Sequence, residues 1–317
     1  MPPHASLRSA CAVLLVLVAM AGAAAAREFG AKAAATNGGA AAAVDSRPAV
    51  VLAVFGDSLS DTGNTFRAAG IPQADLYYQG RYSNGPIWVD YLAAAVSNTT
   101  QLTVLNYAHG GAAACPENGA AAQYPFIRDL PSQTSAFLAD ISAPQTQGQL
   151  GGGRRLLPVS FIGNNDVRNV LTAALGAGGF PTEQAVAALV GSITSCRLAW
   201  AQQLLGAGEA VWRQQRGAER VLVLLPVARL DITPSAPELL KPVLKTVTDA
   251  INNALTVAAA ALNAELASAP VNSGSRGARL LVTADFSGVV GATVTPPFAT
   301  LGADWGARGW SCMMEHA

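Results

Sequence analysis

Short apolar runs alternate along the chain with longer stretches in which apolar residues recur at helical spacing. A near-continuous apolar run covers Val50–Phe55, and similar runs follow at 103–107, 156–162, 219–226 and 280–283. Such runs, rich in Val, Leu and Ile, are typical of parallel strands that are buried on both faces. The pattern therefore predicts five strands.

Between these runs, apolar residues recur every three or four positions, which predicts helices. One helix is expected after Pro86, a short one from Ser132, one from Thr182, and the longest over 237–266. Strands and helices thus alternate through most of the chain. This alternation favours an α/β fold with a central parallel sheet, helices on both faces and right-handed crossovers.

The first 26 residues have the organisation of a signal peptide. Arg8 precedes an apolar stretch over 13–20, and small residues lead up to Ala26. We expect cleavage after Ala26 and export of the protein. The apolar stretch is shorter than the roughly 20 residues that span a bilayer, and no later segment reaches that length. Residues 27–47 are predicted to be an Ala/Gly-rich linker, which leaves 48–317 as one domain.

Charge excludes some classes of partner. Twenty basic residues balance 20 acidic ones, with no long run of either sign. Nucleic acids and anionic membrane surfaces require a basic patch, so neither is expected as a partner. A small or neutral molecule is favoured instead.

The cysteine pattern predicts one disulfide and no metal centre. Cys115, Cys196 and Cys312 remain once the signal peptide is removed, so we expect one pair and one leftover cysteine in an exported protein. The sequence has no CxxC or HxxxH spacing, and a metal site is therefore not expected.

Three segments at the ends of predicted strands carry the candidate chemistry. They are Phe55–Asn64 (FGDSLSDTGN), Asn106–Ala112 (NYAHGGA) and Gly163–Asp166 (GNND). Each segment alone is also an ordinary turn, because Gly, Asp, Asn and Ser are common turn formers. In this order, and with the segment Gly80–Gly85 (GRYSNG), they resemble the sequence blocks of the GDSL esterase/lipase family, also called SGNH hydrolases. Tyr82 stands where that family usually has Phe.

The resemblance implies a flavodoxin-like three-layer α/β/α sandwich and a carboxylic ester hydrolase that acts through an acyl-serine intermediate. Ser58 would be the nucleophile, and the register of the second and third blocks selects Gly111 and Asn165 as oxyanion donors. All three follow strands of one parallel sheet, so we expect them at one sheet edge. No cofactor is implied. The substrate would be a small, lipid or polysaccharide ester, and acyl length, alcohol group and oligomeric state stay open. Asp57 and Asp61 are too close in sequence to Ser58 to orient a separate base, so we expect them to bond the turn's backbone.

The base is the weak point of this resemblance. The family supplies its acid and base from a late Asp-x-x-His block, which we do not find, and we expect the chain to stop before it. His109 lies just before the glycine pair, and His316 has Met313 three positions earlier, where the family has Asp. His316 is the candidate base. The alternative is a non-catalytic secreted protein of the same fold that binds lipid or carbohydrate.

Overall fold

A computed structural model describes residues 47–143, 146, 154–207, 211–212, 220–233, 236–268 and 278–282, the last five as backbone only. The five predicted strands are confirmed, within three residues at either end. They are β1 (Ala49–Gly56), β2 (Gln101–Asn106), β3 (Arg155–Phe161), β4 (Arg220–Leu224) and β5 (Ala278–Val282). The predicted signal peptide and all but the last residue of the predicted linker lie outside the described residues, and Arg47 is exposed.

Six helices lie wholly within the described part of the chain. They are α1 (Asn64–Ala69), α2 (Trp88–Val96), α3 (Leu130–Ser142), α4 (Asn164–Gly176), α5 (Glu183–Gly206) and α6 (Lys241–Ser268). Short 3₁₀ turns occur at Tyr78–Gly80, Pro116–Asn118, Leu230–Ile232 and Glu238–Leu240. As predicted, Thr182 starts a helix: it caps α5, and its hydroxyl oxygen accepts a hydrogen bond from the N–H of Ala185 at 3.1 Å.

Two helix starts differ from the sequence prediction for local reasons. The helix expected from Ser132 begins at Leu130, because Pro131 fits the first helical turn, where its missing N–H costs nothing. The longest helix begins at Lys241 and is preceded by a 3₁₀ turn at Glu238–Leu240. Helices α1 and α4 were not among the four predicted. Helix α1 has only six residues, and a glycine with positive φ stands at each end.

Strand β1 lies inside the sheet and divides the core. All strand pairs are parallel, and the spatial order is β2-β1-β3-β4-β5. Alternate β1 side chains point to opposite faces, so Val51, Ala53 and Phe55 pack in the core with α3, α4, α5 and α6. On the opposite face, residues 50, 52 and 54 pack with α2. The predicted α/β/α architecture with a central parallel sheet is confirmed.

This strand order fixes where a ligand site can form. In a sheet of order 2-1-3-4-5 the chain moves first to one side of β1 and then to the other, so the connections after β1 and β3 leave on opposite faces. A crevice opens between them at the carboxyl ends of the strands. Ser58 follows β1 and Asn165 follows β3, so the two candidate residues flank this crevice.

A disulfide joins Cys115, in the loop after β2, to Cys196 of α5, with 5.6 Å between the Cα atoms. It is the pair that the cysteine count left unspecified, and Cys312 lies outside the described residues. No helix in the described part of the chain combines the length and the apolar character that crossing a membrane requires.

Candidate active site

Ser58 sits in a tight turn that begins where β1 ends. The carbonyl oxygen of Asp57 accepts hydrogen bonds from the N–H groups of Ser60 and Asp61, both at 3.0 Å. The Asp57 carboxylate accepts a third from Leu59 at 3.0 Å, which is the turn-bonding role predicted for this residue. Ser58 is half-buried, and its own N–H has no acceptor among the described residues.

Gly56 brings this turn close to its neighbours. A Cβ at this position would lie 2.7 Å from the carbonyl oxygen of Phe161 and 2.9 Å from Ser60, so no larger residue fits. The Gln133 side chain of α3 pairs with Gly56 as a neighbouring strand would. Its Oε1 accepts from the Gly56 N–H at 2.9 Å, and its Nε2 donates to the Gly56 carbonyl at 2.8 Å.

The Asp61 carboxylate ties the serine turn to the loop that follows β2. It is fully buried and accepts from the N–H groups of Gly63, Asn64 and Thr65 and from the Thr65 hydroxyl. It also accepts from the N–H of Gly110 at 3.0 Å. Because one carboxylate bonds both segments, the serine turn and the second loop are held in a fixed relation.

The loop His109–Cys115 leaves one of its N–H groups without an acceptor. Its other N–H groups are bonded within the described chain: His109 to Gly56 O, Gly110 to Asp61, Ala112 to His109 O, Ala113 to Asp129, and Ala114 and Cys115 to Asp166. The N–H of Gly111 has none among the described residues. Gly111 has φ +81°, a conformation that glycine adopts without the strain of a side chain. The loop thus presents a single open donor.

Asn165 reaches this loop from the first turn of α4. Its Nδ2 donates to the Ala112 carbonyl at 2.8 Å. An amide nitrogen carries two hydrogens, and the second has no acceptor among the described residues. The helix begins at Asn164 after Gly163, so Asn165 lies inside the first turn and is not a cap. The side chain therefore holds the Gly111 loop and keeps a spare donor beside it.

Buried charges lie beneath the turn and the loop. Burial raises the pKa of Asp57 to about 7, with the nearby Asp166 adding to the shift. Burial also raises the pKa of Asp166 to about 6, against the hydrogen bonds that lower it. The Arg197 guanidinium is fully buried and donates to the carbonyls of Ser160 at 3.0 Å and Leu225 at 2.6 Å. Burial lowers the pKa of Arg197 to about 10, so it remains a cation at neutral pH.

Of the three histidines, His109 lies in the described part of the chain. His109 is 6% exposed, and burial lowers its pKa. Its Nδ1 is buried without a hydrogen-bond partner among the described residues. His316 lies outside the described residues, so its role as base stays a prediction.

The described residues contain one group with the atoms for metal ligation. One ligand atom each of Cys115, Glu117 and Cys196 lie within 4.8 Å of one another. The two sulfurs are bonded to each other in the disulfide. A disulfide sulfur is not the thiolate that binds metal ions, so the two cysteines of this group form a covalent link between the loop and α5.

Comparison with known sequences decides the family. The sequence model of the GDSL-like Lipase/Acylhydrolase family matches residues 52–273. The chain belongs to the GDSL-like lipase/acylhydrolase family. Membership supports an ester hydrolase or an acyltransferase, and the matched residues lie within the domain predicted over 48–317.

Two curated relatives match part of the chain. A phosphatidylcholine-sterol acyltransferase from Aeromonas hydrophila is 40% identical over 101 residues, which are 30% of this chain and 29% of that protein. A thermolabile hemolysin from Vibrio parahaemolyticus serotype O3:K6 (strain RIMD 2210633) is 38% identical over 89 residues, 27% of this chain and 19% of that protein. The chain thus matches less than a third of the length of either relative.

The structure adds site residues to this GDSL-family chain that the sequence analysis did not identify. Gln133, Asp129 and Asp166 each bond backbone groups of the serine turn or the Gly111 loop. Gln133 did leave a signal, because it lies on the same face of α3 as the buried residues Leu130 and Phe137. A polar side chain on the apolar face of a helix requires a buried partner.

Proposed function

We propose that this chain is a carboxylic ester hydrolase in which Ser58 attacks the substrate carbonyl carbon. The N–H groups of Ser58 and Gly111 and the spare Asn165 amide hydrogen bind the oxyanion that forms. The observation that carries the proposal is the open Gly111 N–H in a loop whose other N–H groups are all bonded within the described chain. Donors that are fixed before the reaction stabilise the transition state without reorganisation.

The reaction proceeds in two steps. Ser58 loses its proton to a base as its Oγ bonds to the carbonyl carbon, and collapse of the tetrahedral intermediate releases the alcohol with that proton. The acyl-serine then reacts with water, which releases the acid and restores Ser58. An acyl-serine can also react with a second alcohol, as the name of the Aeromonas relative suggests. Adding an acceptor alcohol and measuring new ester by mass spectrometry distinguishes transfer from hydrolysis.

We propose His316, the candidate base within this chain, as the group that accepts the Ser58 proton. His109 is a poor candidate, because its ring is buried and its pKa is lowered without a carboxylate to orient it by hydrogen bonding. The state of His109 also favours a second candidate function, a non-catalytic lipid or carbohydrate binder with an intact oxyanion pocket. His316→Ala is expected to abolish turnover in the hydrolase and to leave a binder unchanged.

A serine-reactive phosphonate probe and a short-chain aryl ester test the proposal. The probe is expected to label the wild type on the peptide that contains Ser58, and Ser58→Ala is expected to lose both label and turnover. Asn165→Ala should lower kcat by about 10²–10³, the usual effect of losing one oxyanion donor. The matched control is Ser97→Ala, since Ser97 caps α2 near the start of β1, where its carbonyl accepts from the Arg47 side chain.

The outcomes separate the two functions. Label and turnover that survive in Ser58→Ala would refute Ser58 as the nucleophile. A wild-type chain that folds but takes no label and turns over no aryl ester would refute the hydrolase and favour the binder.

The export of the protein belongs to the same proposal. The Cys115–Cys196 disulfide supports it, because disulfides persist in oxidising compartments. Intact-mass measurement of protein from the culture medium should show an N-terminus at Arg27. Protein that stays in cells with residues 1–26 attached would contradict export.

A further inference from the structure

The loop that carries Gly111 is held by buried carboxylates from three different elements. Asp61 follows β1, Asp129 precedes α3, and Asp166 lies in the first turn of α4. All three are at most 2% exposed. A loop of small residues has few side chains with which to fix its own conformation, so its backbone bonds determine where the Gly111 N–H lies.

Asp166 makes the largest contribution to this arrangement on the far side of Gly111. Its Oδ2 accepts from the Ala114 N–H at 2.7 Å, and its Oδ1 accepts from the Cys115 N–H at 3.0 Å. Oδ1 also accepts from the Nδ2 of Asn118 at 3.2 Å. A carboxylate offers two acceptor oxygens, whereas a neutral amide offers one, and both oxygens of Asp166 are used here.

Two successive side chains of α4 therefore hold the loop, one through a backbone carbonyl and the other through backbone N–H groups. Asn165 donates to the Ala112 carbonyl, and Asp166 accepts from the N–H groups of Ala114 and Cys115. Gly111 directly precedes the residue that Asn165 holds. A shift of this short segment would move the open N–H by a similar distance, and oxyanion donors act only within about 2.7–3.1 Å of the developing charge.

We propose that Asp166 is a positioning residue that holds the Gly111 N–H in place for the oxyanion by fixing the Ala114 and Cys115 amides. It does not touch the reacting atoms. This inference rests on the proposed function for its catalytic consequence, but the loop-holding role can be measured without turnover.

Asp166→Asn is the direct test, because it preserves side-chain size and removes one of the two acceptors. The control is Leu171→Ala, which creates a cavity beside the same helix and touches none of the loop bonds. Hydrogen exchange of the Ala114 and Cys115 amides is read in both variants by NMR. We expect at least one of these amides to exchange about tenfold faster or more in Asp166→Asn than in Leu171→Ala, as expected when a hydrogen bond to a charged group is lost.

Steady-state kinetics with the aryl ester provide the second readout. Since the Gly111 N–H acts on charge that develops in the transition state, kcat should fall about tenfold or more in Asp166→Asn, with KM within about twofold of the wild type. At assay temperatures below the melting temperature of the variant, Leu171→Ala should keep the kcat of the wild type. A merely structural role would lower stability in both variants and kcat in neither.

The outcomes are distinguishable from those of the proposed function. Equal amide exchange in Asp166→Asn and Leu171→Ala would overturn the positioning role, whatever the activity. Faster exchange in a chain without turnover would uphold the loop role and refute the hydrolase. If Asp166→Asn does not fold, Asn118→Ala is the second variant. It removes the Asn118 side-chain hydrogen bond that helps to orient the Asp166 carboxylate, at a partly exposed position. The Ala114 or Cys115 amide is then expected to exchange about threefold faster than in the wild type. No change there would overturn the proposal.

Discussion

Replacing Gln133 with leucine should destabilise the protein through the backbone at the end of β1. The Gln133 amide makes three hydrogen bonds: it accepts from the Gly56 N–H at 2.9 Å and donates to the carbonyls of Gly56 at 2.8 Å and Arg128 at 2.7 Å. Leucine preserves the volume and removes all three. The buried Gly56 N–H would then lack an acceptor, whereas the Gly56 carbonyl keeps its bond from the His109 N–H.

The expected cost follows from these contacts. An unsatisfied buried N–H costs about 1–3 kcal/mol, and the loss of the bond to the partly buried Arg128 carbonyl adds roughly 1 kcal/mol. We expect a decrease of about 2–4 kcal/mol in the free energy of unfolding. With a urea slope of roughly 2–3 kcal/mol per molar, the midpoint of unfolding should fall by about 1 M.

Urea unfolding followed by circular dichroism measures this shift. The control is Ser135→Ala on the exposed side of the same helix, which should stay within about 0.5 kcal/mol of the wild type. Gln133→Glu adds a second check, because a carboxylate can accept from Gly56 but repels the two carbonyls. Its destabilisation should shrink at acid pH, where the side chain becomes a donor again. A Gln133→Leu midpoint equal to that of Ser135→Ala would refute the reasoning.

Three further outcomes follow from the buried groups. Gly110→Ala places a methyl group 2.2 Å from the Tyr82 ring and should cost about 1–3 kcal/mol, which Tyr82→Ala in the same chain should partly restore in thermal unfolding; additive losses would contradict the contact. The folded-state pKa of Asp57, about 7, is above the ordinary value of 3.8, so the folded protein binds more protons between these values. Stability should therefore fall as pH rises from about 4 to 7, and Asp57→Asn should flatten this slope in urea unfolding at several pH values; parallel curves would argue against it. Reduction of Cys115–Cys196 should lower stability by about 2–5 kcal/mol, measured as a fall in the urea midpoint with dithiothreitol, and an unchanged midpoint would show that the link adds no stability.

Much of the fold was predictable because local pattern and topology agree. The apolar run of β1 and the alternation of strands and helices led to the parallel sheet, and strand ends led to the places of Ser58, Gly111 and Asn165. The supporting bonds were not predictable in the same way. Gln133 is 77 residues from Gly56, and Asp166 is 52 residues from Ala114. Such pairs depend on tertiary proximity, which leaves no periodic trace in the sequence.

The way in which the loop after β2 is fixed also sets its length. Every N–H from His109 to Cys115 except that of Gly111 has an assigned acceptor in the described chain. A one-residue insertion or deletion there would shift each N–H onto its neighbour's acceptor and move the vacant one to a residue with a side chain. We infer that the length of this segment is constrained by the spacing of its acceptors as strictly as its small side chains are constrained by burial.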